Sequence, residues 1–226
     1  VGGHAVMIKK VLLLLFFISN LVFATNSVNI SRDKYIHDIY SQLKLENKME
    51  YDTFQKAYKG YEKIPDKREG LLTIIDFTKP SNEKRFFVID LNKKKIDYST
   101  YVTHGKNSGL TVPLNFSNNR NIYMSSLGFY ITGDAYEGKY GYSLRLQGLE
   151  EGFNSNAYRR AIVVHGADYA EPSFIEKYGF LGRSEGCPAI PTTISKDVID
   201  YIKGKTVLFI MGKDKHYIEK SRYASL

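Results

Sequence analysis

The chain has 226 residues, a formal net charge of +8 at pH 7, 43% hydrophobic residues and a single cysteine. One cysteine excludes an internal disulfide framework, and the apolar content excludes a chain too polar to bury a core. The positive excess suits an anionic polymer. No dense basic run or aromatic-interleaved basic stripe accompanies it, so a solvated surface is the simpler account.

In chain order, Val1 to Val6 precede Met7, Ile8-Lys9-Lys10 supplies a positive stretch, and Val11 to Phe23 an apolar one. Val22-Phe23-Ala24 is a small-residue cleavage pattern, so residues 1–24 read as an export signal cut after Ala24. The apolar stretch contains Ser19 and Asn20 and is short for a bilayer, with an uncleaved anchor as the rival reading. Export makes periplasm or cell envelope the expected location and disfavours nucleic acid as a partner. No stable membrane span is expected after cleavage.

Residues 25–70 read as a helical N-terminal appendage. Tyr35, Ile36, Ile39, Tyr40 and Leu43 recur at helical spacing, and Phe54, Ala57, Tyr58 and Tyr61 share a second face. Asp52 is the expected cap of that second helix, with Gln55 three residues on. From Leu71 short strand-like runs take over: Leu71–Asp76, Arg85–Leu91, Ile96–His104, Ser143–Leu146, Arg160–His165 and Thr206–Met211. Turn chemistry such as Lys79-Pro80-Ser81-Asn82 and Gly148 through Asn156 separates them. A late helix is expected over Ser195–Lys203, with Gly204 just past its end. The expected fold class is mainly β (α+β), a sandwich or partial barrel over residues 71–226 with the small helical appendage before it.

Cys187 lies in Gly182-Arg183-Ser184-Glu185-Gly186-Cys187-Pro188-Ala189. An unpaired thiol in an oxidising compartment risks oxidation, which argues that the chain uses it. The flanking Gly and Pro imply a fixed, irregular backbone around the sulfur. His165-Gly166 ends the apolar run Ala161-Ile162-Val163-Val164, and a thiol with an imidazole is the material of a nucleophilic site. The alternative for Cys187 is a small buried hydrophobe. No short-spaced set of ligands suggests a metal, and nothing suggests a cofactor.

Three segments carry a family resemblance: Val163-Val164-His165-Gly166-Ala167, Gly182 through Ala189, and Val102-Thr103-His104-Gly105-Lys106-Asn107-Ser108-Gly109. Asn115-Phe116-Ser117-Asn118 and Gly138 through Glu150 support them. Together they resemble the YkuD-type L,D-transpeptidase catalytic domain in its murein branch, from about Leu71 to Met211. The resemblance implies a peptidoglycan substrate. A cysteine would attack the L,D amide before the terminal D-alanine of a tetrapeptide stem, and an acceptor amine would resolve the acyl-enzyme into a 3→3 crosslink.

By position, the resemblance makes Cys187 the nucleophile and His165 the general base and then acid. Gly186 and Cys187 would offer oxyanion N–H groups, and the Gly166 carbonyl would orient the imidazole. His104, Arg183, Ser184 and Arg145 are candidate substrate-binding residues, set against a hydrogen-bonded strand-end histidine for His104 and an exposed surface arginine for Arg145. Ser184 beside them reads better as a turn-stabilising hydroxyl than as a nucleophile. The commoner branch follows its cysteine with an aliphatic residue and then Arg or Asn; Pro188-Ala189 stands there instead, which leaves recognition of a substrate carboxylate unassigned. Glu185 is expected to face solvent or pair with a base such as Arg183, because an inward carboxylate would raise the thiol pKa. Two rivals remain: an L,D-carboxypeptidase, with water as acceptor, and a non-catalytic wall-binding module of the same fold.

Overall fold

The computed structural model describes residues 30–225, so the expected export signal lies outside the described residues. Residues 30–42 are helical (α1). From Tyr40 onward the chain forms one compact unit. Among the described residues no helix is long and apolar enough to cross a membrane.

Eight strands form one mixed sheet: β1 (Leu71–Asp76), β2 (Phe86–Asp90), β3 (Lys95–Thr100), β4 (Gly128–Gly138), β5 (Gly141–Gly148), β6 (Val163–Gly166), β7 (Ala189–Ile190) and β8 (Val207–Met211). Their spatial order is β3-β2-β1-β8-β4-β5-β6-β7. The centre is built from near-continuous apolar runs. Every residue of β2 and β8 is buried, as is all of β1 except Leu71, which is what strands covered on both faces require. β1 runs parallel to β8 and antiparallel to β2.

The two outer strands are tied together, so the sheet is a nearly closed barrel. After Thr100 the chain leaves β3 and reaches the far edge, where Thr103 N–H donates to Ala189 O at 2.8 Å. Ser184 N–H then donates to His104 O at 2.9 Å, and Lys106 N–H to Ser184 O at 2.8 Å. For this reason the expected strand Ile96–His104 ends at Thr100: its last residues bond to the opposite edge rather than to β2.

Helix α2 (Tyr51–Lys63) packs on β1 and β8 with Phe54, Ala57 and Tyr61 inward. Its cap is Glu50, without a side-chain hydrogen bond. Asp52 sits inside the first turn, where it pairs with Lys56 rather than capping as expected. Three further helices are α3 (Pro172–Tyr178), α4 (Thr192–Ile202) and α5 (Lys215–Lys220). The expected late helix is α4, beginning three residues early, with Gly204 beyond its end at φ +80°.

Strand β4 has no counterpart in the sequence reading. Its pairing with β5 shifts register between Thr132 and Ala135, where Gly133 and Asp134 form a bulge that breaks the alternation a strand search looks for. Buried Glu150 fastens the far side of β4: it accepts from Phe129 N–H at 2.8 Å, from Tyr217 Oη–H at 3.0 Å and from the Ser221 hydroxyl.

Candidate active site

Cys187 lies two residues before β7, and the parallel pairing of β7 with β6 sets Ala189 opposite His165. On the other side of β6, β5 pairs so that Ser143 faces His165. The topology thus brings three parts to one end of the sheet: the thiol, the imidazole and the tip of the β4–β5 hairpin. His165, Cys187, Tyr140, Tyr169 and Ser184 line a cavity of about 320 Å³, with Lys106, Lys139, Arg183 and Glu185 supplying its charge.

His165 is 2% exposed, and its Nδ1 lies 3.0 Å from Gly166 O. A carbonyl only accepts, so Nδ1 carries the proton and Nε2 is left with a lone pair. Burial holds the imidazole below its usual pKa, while the bond to Gly166 works the other way. Tyr140, at the hairpin tip, stacks on the ring with centroids 4.8 Å apart. Gly166 has its own packing reason to be glycine: a Cβ there would lie 2.4 Å from Ser195 Oγ of α4.

Cys187 is a free thiol, 6% exposed. Its Sγ accepts from Val163 N–H at 3.5 Å and donates to Ala161 O at 3.6 Å, and it makes no hydrogen bond to His165. Burial pushes the thiol pKa up to about 11, against smaller opposing effects of Val163 N–H and the Arg160 guanidinium. Glu185 raises it least of the named causes. The thiol and imidazole are therefore both neutral near pH 7, and proton transfer requires Sγ to turn from Ala161 O.

The turn before Cys187 is stapled by Ser184, whose hydroxyl donates to Cys187 O at 2.6 Å and accepts from Gly186 N–H at 3.1 Å. Gly186 adopts φ +120°, and a Cβ on it would lie 2.7 Å from Met124 O, so no other residue fits without rearrangement. The Gly186 N–H expected to face an oxyanion is thus occupied within the turn. The Cys187 N–H donates to no group among the described residues and is the donor left open.

The remaining expected residues divide. Arg183 and Ser184 line the cavity, whereas Arg145 and His104 do not. Arg145 lies 4.0 Å from the Tyr136 ring centroid and 5.7 Å from that of Tyr158, in a cation–π arrangement. His104 is fully buried, with Nδ1 accepting from Arg85 Nη2 at 2.8 Å and Nε2–H donating to Gly109 O at 3.1 Å. Both ring nitrogens are used, so its side chain braces the segment whose carbonyl receives Ser184 N–H and has no atom free for a substrate. Glu185 is exposed, as expected, but its partner is Lys106 at 3.4 Å rather than Arg183. Among the described residues no three potential ligands gather as a metal site would require.

Tyr140 and Arg160 are among the residues at this site that local sequence does not single out. Tyr140 sits in a two-residue turn between Gly138 and Gly141, a visible hairpin signal, but only the β5–β6 register carries it to His165. Arg160 is expected to open a strand; the strand begins instead at Val163, and the guanidinium lies 3.2 Å from where a Cβ on Gly186 would stand.

A fold in which a nearly closed barrel holds a thiol and an imidazole in one cavity defines a candidate cysteine acyl-transfer site. The family model for the L,D-transpeptidase catalytic domain matches residues 45–211, and the chain belongs to that family. Solved structures match at low identity. An L,D-transpeptidase from Mycobacterium smegmatis is 10% identical, with a TM-score of 0.40 over 63% of this chain and 59% of that one. An L,D-transpeptidase from Stackebrandtia nassauensis is 14% identical, with a TM-score of 0.38 over 80% and 77%. The helical cell shape determining protein Pgp2 of Campylobacter jejuni is 13% identical, with a TM-score of 0.42 over 73% and 57%. The chain thus spans less than two thirds of the mycobacterial structure. Family membership rests on the family match and not on these scores. No curated protein matches the sequence.

Proposed function

We propose that the chain is an exported cysteine L,D-transpeptidase of the periplasm or cell envelope that acts on peptidoglycan stem peptides and forms 3→3 crosslinks. The observation that carries the reading is that Cys187 and His165 line one cavity, with Nδ1 of the imidazole committed to Gly166 O. That commitment leaves Nε2 as the acceptor of the thiol proton.

In this mechanism Sγ turns from Ala161 O toward the cavity and attacks the carbonyl before the terminal D-alanine as Nε2 takes its proton. The oxyanion is received by the Cys187 N–H. The C–N bond then breaks, the imidazolium returns the proton to the departing amine, and a thioester remains. An acceptor amine attacks the thioester and gives its proton to Nε2, the C–S bond breaks, and the thiolate recovers that proton. Because the resting thiol and imidazole are both neutral, His165 acts as a general base during attack and does not hold a preformed ion pair. Tyr140, stacked on the ring, holds the imidazole plane against the cavity wall.

The test is product analysis with purified tetrapeptide muropeptides and the Cys187→Ala variant. The expected products are 3→3 dimers, formed by the wild type and absent from the variant. Tripeptides without dimers would make the protein an L,D-carboxypeptidase. A variant as active as the wild type would refute the nucleophile. Mass spectrometry after incubation with a carbapenem checks the same residue, with a covalent adduct on Cys187 expected and none on the variant.

A further inference from the structure

A second cavity of about 250 Å³ adjoins the first, and Glu185 lies on the wall of both. It is lined by Arg120, Arg159 and Arg160, with Asn121, Tyr123 and Ala161. Ala161, on the wall of this cavity, carries the carbonyl that accepts from the Cys187 thiol, so the cavity lies one residue's breadth from the sulfur.

Three guanidinium groups face this space without a carboxylate partner among the described residues. Arg160 is partly buried and gives its donors to neutral oxygens only, at Ser117 O, Met124 O and the Ser126 hydroxyl. Burial lowers its pKa, the cost of holding a cation without an anion beside it. Arg120 and Arg159 make no hydrogen bond or ion pair among the described residues. The sole acid on the wall, Glu185, is engaged by Lys106. Elsewhere on the surface cations do find partners, as Lys196 and Lys203 both do on Asp200.

The backbone supports the same place. Asn121, Tyr123 and Ala161 have φ of 60°, 56° and 54°, and all three line this cavity. Left-handed backbone at residues with a Cβ is costly and gathers where function requires a fixed shape.

We propose that this arginine cavity is the subsite for free carboxylates on the acyl half of the donor stem peptide. The inference rests on the transpeptidase reading in one respect, the division of the substrate. The departing and the attacking amine must both reach Nε2 of His165, so they occupy the first cavity. The acyl half extends past Ala161 and Glu185 into the second cavity, where planar guanidinium forks suit carboxylates.

The test uses the full chain carrying Cys187→Ala, which binds without turnover, and isothermal titration calorimetry with three synthetic tetrapeptide stems. One has all carboxylates free, one has the acyl-side carboxylates converted to amides, and one has only the terminal D-alanine carboxylate converted. Acyl-side amidation is expected to weaken binding at least about tenfold, the size of one lost charge-assisted bond. Adding Arg120→Gln and Arg159→Gln should remove that sensitivity and leave the effect of terminal amidation unchanged. Neither arginine holds the fold through any hydrogen bond, so the variant keeps its structure. Equal affinity for free and acyl-amidated stems would overturn the subsite, as would a preference that survives the two substitutions or moves to the terminal carboxylate. Turnover by the protein with Cys187 intact is scored separately. Carboxylate-dependent binding without any turnover would sink the transpeptidase reading and leave the subsite standing.

Discussion

The protonation state of the resting site can be tested by alkylating Cys187 with iodoacetamide across pH, in the wild type and in His165→Ala. With the thiol pushed up to about 11, against 9.0 for an ordinary thiol, the two-unit difference makes the thiolate about 100-fold scarcer at neutral pH. The alkylation rate should therefore be at least about 100-fold below that of a free thiol, before any steric hindrance, and should climb about tenfold per pH unit without a plateau below pH 10. His165→Ala should leave this profile in place, because a neutral imidazole contributes no counter-charge. The same substitution should lower acylation by a donor tetrapeptide by about 10²- to 10⁴-fold, the range for loss of a general base. The assay is stopped-flow or quenched alkylation read by intact mass, with acylation followed on the same samples. A wild-type plateau near pH 7 that disappears in His165→Ala would show a thiolate–imidazolium pair and refute the general-base step.

Three further outcomes follow from packing and burial. Gly60→Ala should destabilise the protein although alanine favours helix, because its methyl would lie 2.1 Å from Phe129 Cζ and that ring is stacked on Phe209 at 4.2 Å. Overpacking costs about 1–3 kcal/mol against about 1 kcal/mol of propensity gained, so a rise in the urea midpoint would contradict the packing of α2 on β4. His104 is buried neutral with its pKa lowered to about 4, first by burial and then by the facing Arg85, with a smaller push from Arg183. Its contribution is complete above pH 6.5 and is lost as pH falls toward 4, about 3 kcal/mol in all; His104→Gln should lack that share of the acid loss, and an identical slope in both proteins would disprove it. Glu150→Gln turns an amide N–H₂ toward a nest of donors formed by Phe129 N–H, Tyr217 and Ser221, and should cost about 2–3 kcal/mol in urea unfolding. A variant within 0.5 kcal/mol of wild type, roughly the scatter of neutral surface changes, would show that the network holds nothing.

What the sequence made legible was whatever is written in local chemistry. Leu71–Asp76, apart from Thr73 and Asp76, and the core of Thr206–Met211 are apolar because β1 and β8 are covered on both faces, and such runs need no partner to be recognised. Cys187 and His165 stood out for a related reason. Each is set beside glycine at the end of an apolar stretch, where a side chain can be presented at a sheet's rim. Strand β4 failed the same test because its bulge at Gly133 and Asp134 interrupts the period of two, and β7 because two residues carry no period at all. His104 misled in the opposite direction. Its flanking Gly-Lys-Asn-Ser-Gly looks like an exposed rim, yet the chain there crosses to close the barrel and buries the ring against Arg85.

Arg160 shows why the rest of the site stayed hidden. In sequence it opens an apolar run and reads as a strand's first residue, pointing wherever alternation sends it. In the fold, Ala161 takes φ 54°, the strand starts at Val163, and the guanidinium is turned back onto Ser117, Met124 and Ser126. None of those partners lies within thirty residues, so no local pattern could announce them. The same reversal places Ala161 O where it receives the Cys187 thiol, and sets Ala161 on the wall of a second cavity unlike the one the thiol lines. One cavity holds the base and the other holds three arginines and the acid Glu185, which Lys106 engages. A thiol that rests on Ala161 O and must turn to reach its base is held back from premature reaction by the same kink that helps wall the arginine cavity. Straightening residue 161 would therefore alter both the sulfur's resting position and the shape of the space beside it.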